Sequence, residues 1–107
     1  MTRENRTIVR RQLHYPATLT LKDRSKVHAE TIDLSLGGIS LLAQEQIRPG
    51  QYCAVMFEAH VQEVLRRVVA VGQIIYCLGP AHEGYTVGLQ FLDIDPGSIQ
   101  AIRELLI

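Results

Sequence analysis

Tryptophan is absent from this chain, and its aromatic residues are two phenylalanines and four tyrosines. So few rings cannot furnish the aromatic strand faces on which single-stranded nucleic acids stack. Net charge is also missing: eleven basic side chains balance eleven acidic ones. That balance excludes a broad basic surface of the kind that binds nucleic acid generally. No apolar run is long enough to cross a bilayer. Residues 1 to 14 are polar and basic, without the apolar stretch of a signal peptide. Cys53 and Cys77 are the two cysteines, and each lies in an apolar run, "YCAVMF" and "IIYCLG". Two buried free thiols are expected, in a reducing, cytosolic setting. His14, His28, His60 and His82 show no metal-ligand spacing to one another or to cysteine. No nucleophile elbow or phosphate-binding glycine loop occurs, and Ser35 beside Asp33 without an assigned histidine is not a triad. Neither an enzyme nor a metal protein is expected.

What the chain does have is 47% apolar residues over 107 positions, enough for one domain with one core. Its abrupt ending on "ELLI" is compatible with a domain cut from a longer protein. Leu13, Tyr15, Ala17, Leu19 and Leu21 alternate with polar residues, the period of a half-buried strand. "KDRSK" then supplies a polar turn. Val27, Ala29 and Thr31 alternate with His28, Glu30 and Ile32, and "GGISLL" resumes a strand after two glycines. "RPG" at 48–50 is a turn signal, and "QYCAVMFE" is fit for a buried strand. "AHVQE" reads as a hairpin connection. "VLRRVVAVGQIIYCL" is too long for an average strand, and Gly72 within it predicts a bulge or bend. "GPAHEG" at 79–84 is expected to be a loop, followed by a strand carrying Tyr85, Val87, Leu89 and Phe91 on one face. Asp95 before Pro96 marks a helix start, and Ile99, Ile102, Leu105 and Leu106 share one face of a helix over about 96–106. The expected fold is all-β: about six antiparallel strands as a barrel or sandwich, with a C-terminal helix.

Residues 1–12 are read as an arm ahead of the folded unit at 13–107. Arg3, Arg6, Arg10 and Arg11 crowd into that arm against the single acidic Glu4. In a neutral protein this unevenness points to a local anion site. About two dozen residues later stands "DLSLGG", Asp33 to Gly38. As a plain turn, Asp33 and Ser35 bond neighbouring backbone while Gly37 or Gly38 takes a positive φ. As a recognition edge, Asp33 and Ser35 face the same way in an extended segment. A carboxylate and a hydroxyl would then meet a planar group carrying N–H donors. The Watson–Crick edge of guanine is such a group. Guanine's N7/O6 edge and phosphate oxygens both suit arginine.

"RTIVR" (Arg6, Arg10) followed by "DLSLGG" (Asp33, Ser35, Gly38) resembles the paired signature of PilZ domains, RxxxR and [D/N]x[S/A]xxG. "IRPGQYCAVMF" resembles that family's strand after a proline–glycine turn, "VGLQF" its glycine-containing last strand, and the terminal helix falls where the family has one. The resemblance implies a six-stranded antiparallel β-barrel and a cyclic di-GMP ligand. Arg6 and Arg10 would hold phosphates and guanine faces or edges, Asp33 and Ser35 would meet a guanine edge, and Gly38 would let the loop approach. Arg11 adds a neighbouring charge. Asn5 stands where the family tunes whether one ligand or a stacked pair binds. It also implies a partner protein or an attached catalytic domain, switched when the arm orders on the ligand. The start "YPATLTL" resembles the type attached to bacterial cellulose synthases. Two other readings remain open at this point: a same-family adaptor without nucleotide binding, and an oligonucleotide-binding barrel.

Overall fold

A computed structural model describes residues 9–107. Seven strands and one helix follow in order: β1 (Arg11–Gln12), β2 (Pro16–Leu21), β3 (Lys26–Leu34), β4 (Gly38–Ala43), β5 (Tyr52–Val61), β6 (Val64–Ala81), β7 (Gly84–Ile94) and α1 (Pro96–Leu105). All pairings are antiparallel. The order β3-β2-β5-β6-β7-β4 closes through β3–β4, so six strands form the barrel and β1 is a short addition beside β3. Closure pairs every barrel strand on both sides along part of its length, which removes the exposed edges of an open sheet.

The alternation in the sequence is the inward-outward alternation of the strands. Leu19, Val27, Leu41, Val55, Phe57, Val68, Ile74, Val87 and Leu89 are almost wholly buried and fill the barrel. Cys53 is also buried there, and burial pushes its thiol up to about 11. Cys77 is half-buried, and both thiols are free.

The helix begins as the "DP" dipeptide predicts. Asp95 is the N-cap, and its carboxylate accepts from Ser98 N at 3.0 Å and from Ser98 Oγ at 2.7 Å. Those bonds hold the Asp95 carboxyl below the usual range. Ser98 Oγ also accepts from Val69 N at 2.9 Å, so it satisfies a strand N–H where β7, last paired at Ala70, has left β6. Ala101, Ile102 and Leu105 then seal the adjoining part of the core.

Several local expectations are redrawn. β6 runs unbroken for 18 residues, and its register with β7 shifts at Val71/Gly72, the bulge that Gly72 predicted. The loop expected at 79–84 contracts to His82–Glu83, because both strands continue into it. Ala59 and His60 belong to β5, not to a connection, and the β5–β6 turn is Gln62–Glu63, both at positive φ (53° and 69°). This is the two-residue geometry whose twist matches paired strands.

Candidate functional site

The arm does not end where the alternation begins. Arg11 and Gln12 pair with Leu34 and Asp33, and Leu13 N donates to Ile32 O at 3.0 Å. Backbone pairing needs no apolar side chain, and Arg11 and Gln12 both point into solvent, so their strand carries no hydrophobic period. Between Gln12↔Asp33 and Pro16↔Glu30 the arm side advances four residues against three on β3. That irregularity separates β1 from β2.

The consequence is that Arg10 leaves the sheet directly beside Asp33. Its Nη1 donates to Asp33 Oδ1 at 2.9 Å across 23 residues of sequence. The carboxylate side chain is 27% exposed and the guanidinium 58%. Arg11 turns elsewhere and donates to the Ile107 carbonyl at the end of the C-terminal segment. Arg6 and Asn5 lie outside the described residues.

Ser35 sits in the β3–β4 turn and is buried. Its Oγ accepts from Gly37 N at 3.3 Å and lies 3.4 Å from Gly38 O, while its own N donates to Gly38 O at 2.9 Å. The hydroxyl therefore staples its own turn, as the plain-turn reading anticipated. Asp33 departs from that reading, because its carboxylate accepts from Arg10 of the arm. The expectation of a positive φ at Gly37 or Gly38 is corrected: neither residue adopts one. Glycine is needed at 38 for another reason. A Cβ there would overlap the Leu89 carbonyl across the β4–β7 seam, where Gly38 pairs with Gln90.

Sequence reasoning missed a second feature of this face. Successive registers align Gln12, Asp33, Ser40, Gly88 and Tyr76 in one cross-strand row. Ile39, Leu41, Val87 and Leu89 point into the core, so Ser40 and Gly88 face outward. The Tyr76 ring lies over Gly88, where a Cβ would collide with it, and Tyr76 Oη meets Ser40 Oγ at 3.2 Å. An aromatic ring thus lies in the row that holds Asp33. "VGLQF" contained the necessary glycine, but only the register places tyrosine on it.

A groove of about 880 Å³ lies alongside, lined by Gln12, His14, Glu30, Thr31 and Glu83 among others. His14 Nε2 and Glu30 Oε2 are 3.3 Å apart within it. The two glutamates make this hollow a poor seat for an anion, and Asp33 is not among its walls. Among the described residues no group of three or more His, Cys, Asp and Glu side chains is placed to hold a metal ion, and no helix is long and apolar enough to cross a membrane.

The described residues thus form a small closed antiparallel barrel in which Arg10, just ahead of β1, meets Asp33 near the end of β3. The PilZ domain profile matches residues 4–107, and the chain belongs to that family. PilZ domains bind cyclic di-GMP. No curated protein matches the sequence. Among solved structures, the chain is similar to the Bacillus subtilis inhibitor of motility MotI/DgrA, with a TM-score of 0.78 and 16% identity, over 99% of this chain and 50% of that one. It is also similar to the PilZ domain of Escherichia coli YcgR, solved with cyclic di-GMP, at a TM-score of 0.67 and 18% identity, over 94% of this chain and 87% of that one. A third is the PilZ domain of CeSA from a cellulose-synthesizing bacterium, at 0.57 and 19%, over 91% and 93%. The chain spans half the length of the motility inhibitor. Identities this low establish the shared fold alone.

Proposed function

We propose that this chain is a cyclic di-GMP receptor that acts on a partner protein or an attached domain. The observation that carries the reading is the 2.9 Å contact between Arg10 and Asp33, which joins two halves of the motif that are 23 residues apart in sequence. Arg6 and Arg10 hold phosphates and guanine faces or edges. Asp33 accepts from the ring N–H and exocyclic amine of a guanine. Ser35 and Gly38 shape the turn beside Asp33, and the Ser35 hydroxyl is a further candidate contact for the guanine edge. The Tyr76 ring offers an aromatic face in the same row. A cyclic dinucleotide carries two negative charges, so a few arginines suffice and no general basic surface is required. Arg11 and Asn5 tune the site, the latter by favouring one ligand or a stacked pair.

In this reading the arm closes over the ligand, and its ordering cost reduces affinity while making a switch. The contact of Arg11 with the Ile107 carbonyl links the arm to the end of the C-terminal segment, so a rearranged arm alters a second surface. The setting is cytosolic, with cellulose synthesis one candidate process for the attached or separate partner. Calorimetric titration with cyclic di-GMP tests the assignment. Loss of one charge-assisted arginine contact costs about 1.5–3 kcal/mol, or roughly 10- to 150-fold in Kd. Arg6→Ala and Arg10→Ala variants that bind like wild type would overturn it.

A second reading has its own observation. Met56 and Val69 are cross-strand partners on the outer face of β5 and β6, and both are more than a third exposed, as is Val71. This suits an adaptor that docks a protein without nucleotide. Such a chain gives no heat with cyclic di-GMP.

A further inference from the structure

At its N-terminal end β6 has a strand on one side only. β7 pairs with it from Ala70 onward, so among the described residues Val64–Val69 are paired to β5 and to no other strand. Backbone groups of an antiparallel strand point alternately to its two sides. Val69 N donates to Ser98 Oγ, away from β5. The N–H and C=O groups of Leu65 and Arg67 therefore also point away from β5. Val64 and Leu65 are 57% and 54% exposed, so the helix leaves this edge open. A hollow of about 330 Å³ lies between it and the helix end, lined by Val64, Arg66, Glu104 and Ile107 among others.

An open edge is a template for another strand unless charge, proline or a bulge guards it. Residues 64–69 contain no proline, and their register with β5 runs without a bulge. Two arginines stand on the edge, but both are neutralised within the chain: Arg66 donates to Glu104 and Arg67 to Glu58. We propose that this edge pairs antiparallel with the same edge of a second copy, joining two barrels through β6 across a two-fold axis. The sequence selects the register. An axis at Arg66 or Arg67 sets two arginines opposite each other, which is unfavourable. An axis at Val64 sets Glu63 against leucine. With the axis at Leu65 the two leucines meet, Val64 lies opposite the partner's Arg66, and Arg67 comes opposite the partner's Glu63. Symmetry repeats that opposite-charge pair, which makes the edge complementary to itself. The inference is independent of the nucleotide reading.

Sedimentation velocity on the whole chain over a concentration series tests it. Wild type is expected to pass from monomer to dimer as concentration rises. Glu63→Arg and Arg67→Glu each turn two attractions into repulsions. A cross-strand charge pair is worth about 1.4- to 5-fold, and reversal at both symmetric positions compounds this to about 4-fold or more in the dimer Kd. Mixing the two variants restores both attractions, so the mixture should associate more tightly than either variant alone. Leu65→Pro removes an N–H that β5 does not use, and should abolish the dimer while thermal melts show a folded chain. Wild type that stays monomeric throughout overturns the proposal. So does a mixture that associates no better than its components, or a folded Leu65→Pro variant that remains dimeric. The mixture decides the matter whether or not the proline variant folds.

Discussion

The same tripeptide pattern, Asp-x-Ser, occurs at the ends of two neighbouring strands and is used in opposite ways. At Asp23–Ser25, in the β2–β3 turn, the carboxylate accepts from Ser25 N at 2.9 Å and from Ser25 Oγ at 2.6 Å. Those bonds hold its carboxyl below the usual range, and the aspartate is consumed by its own turn. At Asp33–Ser35, in the β3–β4 turn, Ser35 bonds to Gly37 and Gly38 instead. Asp33 is left to a residue 23 positions away. The two turns differ in where the strand stops. Asp23 lies beyond the end of β2 and closes on the next residues, whereas Asp33 is still inside β3, paired with Gln12 and Ser40. A side chain inside a strand projects from the sheet, away from its own sequence neighbours. A carboxylate meant for an outside partner belongs there.

The largest test of this contrast is binding. Asp33→Ala is expected to weaken cyclic di-GMP by roughly 10- to 150-fold, the range for a lost charge-assisted contact. Asp23→Ala should leave the titration unchanged. Equal effects would erase the distinction between the two turns.

Ser98 sharpens the comparison from the other side. Like Ser25 it bonds its own aspartate, but it also satisfies Val69 N. Replacement by alanine orphans a strand N–H, and denaturant unfolding should show a loss of about 1–3 kcal/mol. The loss at Ser35→Ala should be smaller, about 1 kcal/mol, because its bonds lie within one turn and are longer. If Ser35→Ala abolishes ligand binding while the fold survives, the hydroxyl reaches the ligand as well as the turn.

Acid provides a further contrast. Asp23 and Asp95 have carboxyls lowered in the folded state, chiefly by their serines. Groups of that kind stabilise the fold in full above the ordinary carboxylate range and cease to do so as pH falls through their lowered values. Stability measured against pH should therefore fall less steeply on the acid side in Asp23→Asn and Asp95→Asn. The smallest effect is expected at the β5–β6 turn. Glu63 there has φ of 69°, and Glu63→Gly should raise stability by about 0.5–1 kcal/mol in thermal or chemical unfolding.

Much of the architecture was legible before any coordinates. Alternation exposed the strands, and the proline after Asp95 marked the helix start. Gly72 announced its bulge. These signals are local: each depends on the chemistry of a residue and its immediate neighbours. The two halves of the candidate site were legible as motifs for the same reason. Their mutual arrangement was not. Arg11 and Gln12 enter the sheet through backbone alone, and backbone pairing leaves no mark on side-chain pattern. Gly38 was read as a turn glycine, yet its need arises from the Leu89 carbonyl on a strand some 50 residues away in sequence.

The sequence by itself determined a neutral, single-core, strand-rich chain with a concentrated arginine arm, a serine- and glycine-bearing turn and a capped terminal helix. Tertiary structure decided which of its similar aspartates is offered to an arginine, that Ser35 bonds into its own turn, and that Tyr76 lies across Gly88 beside Ser40. The reason is register. Which side chains meet across a barrel depends on how its strands slide past one another, and that sliding is set by closure of the whole sheet and not by any one of its segments.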